Sequence, residues 1–136
     1  MFSARARGTA RKNPRDFATH AGLGLSMLGE NRLGEAEQHL RTAIALQPDY
    51  APAHYNLGLL LRRLNQTAAA RAAFETALRL EPKDFKAHSN LGFVLLLQSD
   101  PDSARTHFES ALQLNPEDEI ARDGLGQALQ ALGRTK

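Results

Sequence analysis

A spacing of 34 residues recurs throughout the sequence and limits its fold more than any other feature. The sets of residues that follow this spacing are Pro14, Pro48, Pro82 and Pro116; Leu23, Leu57, Leu91 and Leu125; Gly24, Gly58, Gly92 and Gly126; Ala36, Ala70 and Ala104; Ala43, Ala77 and Ala111; and Leu40, Phe74 and Phe108. Repeats of this length are single supersecondary units that bury their apolar faces against neighbouring copies. The spacing therefore predicts a short stacked array in this chain of 136 residues.

The apolar residues inside one repeat have the spacing of an α-helix. In residues 51–64 the positions i, i+3, i+4 and i+7 are occupied by His54, Leu57, Gly58 and Leu61. The next segment has a similar stripe, formed by Ala70, Phe74, Ala77 and Leu78. Two amphipathic helices with a short connection predict an antiparallel pair. Small Gly58 and Ala70 are expected to let the two backbones approach, with Phe74 filling the remaining gap.

Capping residues indicate where the helices begin and end. Aspartates whose side chains can accept backbone N–H bonds precede three helices, at Asp16, Asp84 and Asp118. One register, in which Gly or Asn tolerates a left-handed C-cap, is occupied by Asn31, Asn65, Ser99 and Gly133. The predicted organisation is three helix pairs and one further helix, at residues 17–48, 51–82, 85–116 and about 119–132.

The pattern resembles the tetratricopeptide repeat family over residues 17–132. The L-G, A, F, A and P positions of the family motif are matched, whereas histidines stand at its tryptophan position and its later aromatic position holds Met27, Leu61 and Leu95. The resemblance implies an all-α fold, a right-handed α-solenoid of antiparallel helix pairs. It divides a single domain, residues 16–136, into repeats at 17–50, 51–84 and 85–118 and a capping helix at about 119–132.

The residues that could carry chemistry argue against an enzyme. The chain has no cysteine, which excludes disulfides, thiolate metal sites and a cysteine nucleophile. His20, His54 and His88 occupy equivalent positions in successive repeats. Helices stacked about 8–10 Å apart do not bring such residues onto one zinc ion, which needs each nitrogen at about 2 Å. With no nucleophile–base pair and no phosphate-binding motif evident, the sequence predicts a non-enzymatic protein without a metal or cofactor.

Positive charge is concentrated at the N-terminus. Residues 1–15 contain five basic side chains and no acidic one, at Arg5, Arg7, Arg11, Lys12 and Arg15. We interpret this segment as a basic tail or a degenerate helix, with binding of nucleic acid or an anionic surface as an alternative function. Nucleic acid is disfavoured because no aromatic residue stands between the arginines to stack on bases. No apolar stretch is long enough for a membrane span and no secretory signal is evident, so the cytoplasm is the default location.

The first helices of the pairs are expected to line a concave groove. At about 100° per residue, the side opposite the packed stripe holds the predicted groove residues Asn56, Leu59, Arg63, Lys86, Asn90, Phe93 and Leu97. Two further predicted groove residues, Tyr55 and Arg62, flank this side. Exposed apolar side chains of this kind usually mark a binding site. The amides of Asn56 and Asn90 each match one peptide unit, and the basic residues favour acidic side chains or a C-terminal carboxylate. The predicted function is binding of a peptide or partner helix in this groove.

Two precedents within the family bear on the groove. The chaperone-binding carboxylate clamp is similar at two of its five positions, Asn56 and Lys86. The predicted groove resembles the asparagine ladder of O-GlcNAc transferases more closely, because it has asparagine at positions 56 and 90. Gly22 and Gly124 interrupt this ladder at its two ends. A further alternative is self-assembly, in which copies of the protein, as homo-oligomers, stack through the first helix pair.

Overall fold

The computed structural model describes residues 16–133, which form seven α-helices and no strand. The helices are α1 Phe17–Gly29, α2 Leu33–Leu46, α3 Ala51–Arg63, α4 Thr67–Leu80, α5 Phe85–Leu97, α6 Pro101–Leu114 and α7 Glu119–Ala131. The three pairs begin at the predicted residues 17, 51 and 85 and end two residues before the predicted 48, 82 and 116. The predicted all-α fold is confirmed. The segment 1–15, predicted to be a basic tail or a degenerate helix, lies outside the described residues.

The helices form two layers. Consecutive helices pack against each other, and further contacts connect α1 with α3, α3 with α5, and α5 with α7. The odd-numbered helices therefore lie side by side in one layer, and α2, α4 and α6 lie in the other. A continuous core of buried leucine, alanine and phenylalanine side chains extends between the layers from Leu28 to Ala128. None of the described helices has both the length and the apolarity to cross a lipid bilayer.

Aspartate side chains cap three of the odd-numbered helices, as predicted. Asp16 accepts from the backbone N–H of Ala18 at 2.9 Å. Asp84 and Asp118 cap α5 and α7 in the same way. Each cap stabilises its helix by about 1 kcal/mol because it satisfies N–H groups that have no partner in the first turn. Helix α3 instead has Pro52 in its first turn, where the missing N–H has no hydrogen bond to lose.

A residue in the left-handed conformation follows each odd-numbered helix. The φ angle is 62° at Asn31, 63° at Asn65, 62° at Ser99 and 71° at Gly133. These four positions are the predicted C-caps. Glycine and asparagine adopt this conformation readily, whereas Ser99 adopts it against a steric penalty of about 1–2 kcal/mol. The turns between paired helices are three residues long, which brings each pair into antiparallel contact.

Glycines in the odd-numbered helices allow the paired helices to approach closely. A Cβ at Gly58 would lie 2.6 Å from the ring of Phe74, and one at Gly24 would lie 2.5 Å from the Leu40 side chain. The Phe74 side chain is fully buried. The prediction that Gly58 permits the approach of α3 and α4, with Phe74 filling the gap, is therefore confirmed.

The last helix packs differently from the other odd-numbered helices. It rests on α6 through Gly124, where an added Cβ would collide with the ring of Phe108. A Cβ at Gly126 would meet no atom of the described residues within 4 Å. Gly126 shares the 34-residue spacing but not the helix contact, because no described helix follows α7 to pack on that face.

Candidate functional site

A groove opens on the layer of odd-numbered helices, where α3, α5 and α7 come together. It contains a cavity of about 510 Å³, and a second cavity of about 430 Å³ lies beside it near the end of α5. Arg62 and Phe93 line both cavities, so the two form one groove. Six of the predicted groove residues line it, namely Tyr55, Arg62, Lys86, Asn90, Phe93 and Leu97.

Two aromatic rings in the groove are held by contacts with the core. Phe93 packs edge-on against Phe108, with ring centroids 4.9 Å apart. Tyr55 packs in the same manner against Phe74, with ring centroids 5.8 Å apart. Since Phe108 and Phe74 are fully buried, the rings of Phe93 and Tyr55 are packed directly on the core and form an apolar surface in the groove.

Two aliphatic side chains are largely exposed at the edge of the groove. Leu97 on α5 is 66% exposed, and Ile120 on α7 is 61% exposed. Full burial of a side chain of this size is favourable by about 1.5–3 kcal/mol. This edge therefore offers apolar area that a partner can cover.

A hydrogen-bond network crosses the groove between α3 and α5. Arg62 Nη1 donates to Asn90 Oδ1 at 2.8 Å, and Asn90 Nδ2 donates to the Tyr55 hydroxyl at 3.2 Å and to the Lys86 carbonyl at 2.9 Å. Burial raises the pKa of Tyr55, helped by the charge of Asp84 and opposed by Arg62 and the hydrogen bond from Asn90. The phenol is therefore protonated at neutral pH, and its O–H is available to donate.

The groove also contains a buried carboxylate that the sequence did not lead us to place there. Asp118 is 9% exposed; its Oδ2 accepts from Ser89 Oγ at 2.6 Å and its Oδ1 accepts from the Ile120 N–H at 3.1 Å. Both Ser89 and Asp118 line the larger cavity. We predicted Asp118 only as a helix cap; its partner was not evident because Ser89 stands where the preceding repeat has Tyr55.

Arg62 and Lys86, the basic side chains that line the groove, form no ion pair among the described residues. The ion pairs among the described residues are Arg32–Glu30, Arg32–Glu35, Arg41–Glu37 and Arg71–Glu75. None of them involves Arg62 or Lys86. Arg62 donates one N–H to the neutral amide of Asn90. Because a guanidinium has five N–H donors, Arg62 can also donate to a ligand. The groove therefore presents the two positive charges of Arg62 and Lys86, and the single negative charge of Asp118, beside its apolar surface.

Three predicted groove residues do not line either cavity, and the prediction for Asn56 needs correction. Asn56 is 7% exposed, and its Nδ2 donates to the Ala21 carbonyl on α1 at 3.4 Å. Its position faces the preceding odd-numbered helix instead of the open groove. Leu59 is partly buried against the core, and Arg63 donates to Asn31 Oδ1 in the turn after α1 at 3.3 Å.

Histidines are closer to one another than the sequence indicated. His20 and His39 are neighbours, as are His88 and His107, with Nδ1 atoms 3.1 Å apart in both pairs. From the sequence we compared only histidines in different repeats, whereas these pairs join the two helices of one repeat. Among residues 16–133, no group of three or more His, Asp or Glu side chains is placed to hold a metal ion.

Comparison with known proteins agrees with this architecture. A family model described as tetratricopeptide repeat matches residues 55–119 and 94–136, and a model described as TPR repeat matches residues 30–64. No curated protein sequence matches at a significant level.

Several solved structures are similar to the chain in fold. One is MamA, with 23% identity and a TM-score of 0.84, covering 94% of this chain and 75% of that chain. Another is the first TPR of Spaghetti (RPAP3) bound to the HSP90 peptide SRMEEVD, with 21% identity and a TM-score of 0.83, covering 86% of this chain and 93% of that chain. A third is YrrB, described as a TPR protein with an unusual peptide-binding site, with 24% identity and a TM-score of 0.82, covering 95% and 70%.

Proposed function

Because the chain belongs to the tetratricopeptide repeat family, we propose that it is a non-enzymatic protein-interaction module that holds a peptide or a partner helix in the groove. The observation that carries this proposal is the larger cavity, about 510 Å³ in volume, which lies between aromatic rings packed on the core and the basic side chains of Arg62 and Lys86. Cavities of about 300–1,000 Å³ with a few convergent polar groups are typical of ligand sites.

The apolar part of the groove would take up the apolar side chains of the partner. Phe85 and Phe93 line the larger cavity together with Ile120, and Leu97 extends the same surface to the neighbouring cavity. Covering Leu97 and Ile120 removes from water the two most exposed large apolar side chains of the described chain. Apolar burial of this kind supplies most of the free energy of association in protein interfaces.

The polar part of the groove would select the chemistry of the partner. Arg62 and Lys86 favour a carboxylate, from an acidic side chain or from a C-terminus. The Tyr55 hydroxyl can donate to a peptide carbonyl. Asn90 contributes by holding Arg62 and Tyr55 in place, since its amide is already engaged by both.

Two of the similar structures support this proposal by their own descriptions. Spaghetti (RPAP3) was solved with the peptide SRMEEVD, which carries three acidic side chains, and YrrB is described by its peptide-binding site. These are properties of those proteins. They support peptide capture as a use of this fold, while the groove of this chain supplies the residues that would do it.

Substitution of the exposed apolar edge tests the proposal without disturbing the core. We would compare proteins captured from a lysate by the wild-type chain and by the variant Leu97→Asp/Ile120→Asp, and then measure the affinity of the partner identified by mass spectrometry. A matched control is Leu114→Asp, because Leu114 is also exposed but lies on α6, outside the groove. We expect the double variant to lose the partner and the control to retain it.

Equal capture by the wild type and by a folded double variant would reject the groove as the binding surface. Two other functions predicted from the sequence stay predictions. Self-stacking through the first helix pair would show as concentration-dependent light scattering. Binding of nucleic acid or an anionic surface through residues 1–15 would weaken steeply with added salt and disappear on deletion of that segment.

A further inference from the structure

The paired histidines have a geometry that accommodates only one proton between them. Nδ1 of His88 on α5 lies 3.1 Å from Nδ1 of His107 on α6. The ring centroids are 5.3 Å apart with an interplanar angle of 31°. His20 on α1 and His39 on α2 have the same nitrogen separation, centroid distance and angle. Two of the three repeats therefore join their paired helices through an imidazole–imidazole contact.

The carbonyl of Pro82 determines which tautomer of His88 is present. His88 Nε2 lies 3.1 Å from the Pro82 oxygen, and a carbonyl oxygen can only accept a hydrogen bond. Nε2 of His88 therefore carries the hydrogen, and in the neutral ring Nδ1 is the acceptor. The hydrogen between the two rings must then belong to Nδ1 of His107, which donates it to His88.

The neutral pair can take up one proton and keep this contact, but it cannot take up two. One additional proton is tolerated, because a neutral imidazole can still accept from an imidazolium. When both rings are charged, both Nδ1 atoms carry hydrogens that point at each other. Two unit charges at this separation also repel by several times RT at an effective dielectric constant of about 20.

Neighbouring charges do not relieve this conflict. The charged side chains that act on His107 from α4 are Glu75 and Arg71, and these two form an ion pair with each other at 2.9 Å. Their effects on His107 are opposite in sign. Burial, followed by the charge of His88, lowers the pKa of His107.

We propose that the His88–His107 contact is a proton-sensitive latch, which holds α5 against α6 at neutral pH and is released when both imidazoles become protonated. The unfolded chain binds two protons at these residues below a pH of about 6.5, whereas the latched pair binds one. The stabilisation is therefore present above about pH 6.5 and is lost as the pH falls below that value. The His20–His39 contact has the same nitrogen separation and ring arrangement in the first repeat.

The second repeat provides a natural control for this latch. Its histidine, His54, also places Nε2 near a proline carbonyl, at 2.8 Å from Pro48. The position equivalent to His39 and His107 is occupied by Ala73. The substitution His107→Ala therefore copies a side chain that the same fold already uses, and His54→Ala removes a histidine that has no second imidazole at the partner position.

The test is the pH dependence of the unfolding equilibrium constant, measured by urea denaturation between pH 7.5 and 5.5, above the range in which ordinary carboxylates titrate. If unfolding takes up one extra proton, the unfolding constant rises by up to tenfold for each pH unit by which the pH is lowered. We expect His107→Ala to reduce the pH dependence of the unfolding constant by up to tenfold per pH unit relative to the wild type. His54→Ala should leave this pH dependence unchanged. NMR of the imidazole nitrogens of the wild-type protein should show Nδ1–H on His107, Nε2–H on His88, and coupled titration of the two rings.

Two results would overturn the latch. One is a slope for His107→Ala equal to that of the wild type. The other, which needs no variant and so does not depend on His107→Ala folding, is independent titration of His88 and His107, each taking up its proton at the pH at which His54 does.

Discussion

Arg62 on α3 donates a 2.8 Å hydrogen bond to the side-chain oxygen of Asn90 on α5. The bond joins two odd-numbered helices from neighbouring repeats, and both of its residues line the groove. Asn90 continues the connection to the Tyr55 hydroxyl. An asparagine that looked available for ligand contact is thus part of the frame that positions a cation and a phenol.

Removal of the Asn90 amide tests this role. Asn90→Ala deletes the bonds to Arg62, Tyr55 and the Lys86 carbonyl. Hydrogen bonds of this kind have net contributions of about 0.5–1.5 kcal/mol, and partial exposure reduces their sum. We expect a loss of about 1 kcal/mol in the free energy of unfolding, measured with urea. Arg63→Ala, which deletes one exposed bond, should change stability by less than about 0.5 kcal/mol; equal losses would contradict the network.

Two glycines of the odd-numbered helices should respond in opposite directions to alanine. Gly58→Ala places a Cβ 2.6 Å from the buried Phe74 ring, and overpacking of this kind is destabilising by about 1–3 kcal/mol. Gly126→Ala meets open space and removes a poor helix former, a gain of up to about 1 kcal/mol. Thermal unfolding of both variants checks the pair. A destabilised Gly126→Ala would mean that this face of α7 is covered.

The left-handed serine after α5 offers a stabilising substitution. Ser99→Gly removes the steric penalty at φ 62°, offset in part by the greater backbone entropy of glycine in the unfolded chain. We expect a net gain of about 0.5–1 kcal/mol by urea denaturation. The matched control is Ser110→Gly inside α6, which should lose about 0.5–1 kcal/mol. A loss at both positions would argue against strain at Ser99.

The buried carboxylate of the groove should contribute to stability through two hydrogen bonds. Asp118→Ala deletes the cap of α7 and the short bond from the Ser89 hydroxyl, which can then donate only to the Phe85 carbonyl at 3.1 Å. Loss of a cap and a buried partner together predict a decrease of about 1–3 kcal/mol in the free energy of unfolding. Asp123→Ala, at an exposed position of the same helix, should have an effect below about 0.5 kcal/mol. Similar effects of the two substitutions would contradict the contribution of both the α7 cap and the Ser89–Asp118 bond to stability.

Features that depend on nearby residues could be predicted from the sequence. The helix starts at Asp16, Asp84 and Asp118 and the left-handed turns at Asn65 and Ser99 follow from interactions within a few residues. The 34-residue spacing then made each helix pair equivalent to the next, so one stripe of small and bulky residues described the packing within every pair. The Gly58–Phe74 contact is an example that the structure confirms.

The tertiary structure decided what lies opposite each side chain across the boundary between repeats. The decisive partners are 28 to 35 residues apart: Arg62 with Asn90, Ser89 with Asp118, and Asn56 with the Ala21 carbonyl. Periodicity assigns Asn56 and Asn90 the same position, yet one is buried against α1 while the other holds a groove wall. Equivalent positions have different neighbours because the residue across the boundary changes from repeat to repeat, and its burial and hydrogen bonding depend on helix placement that no local pattern encodes.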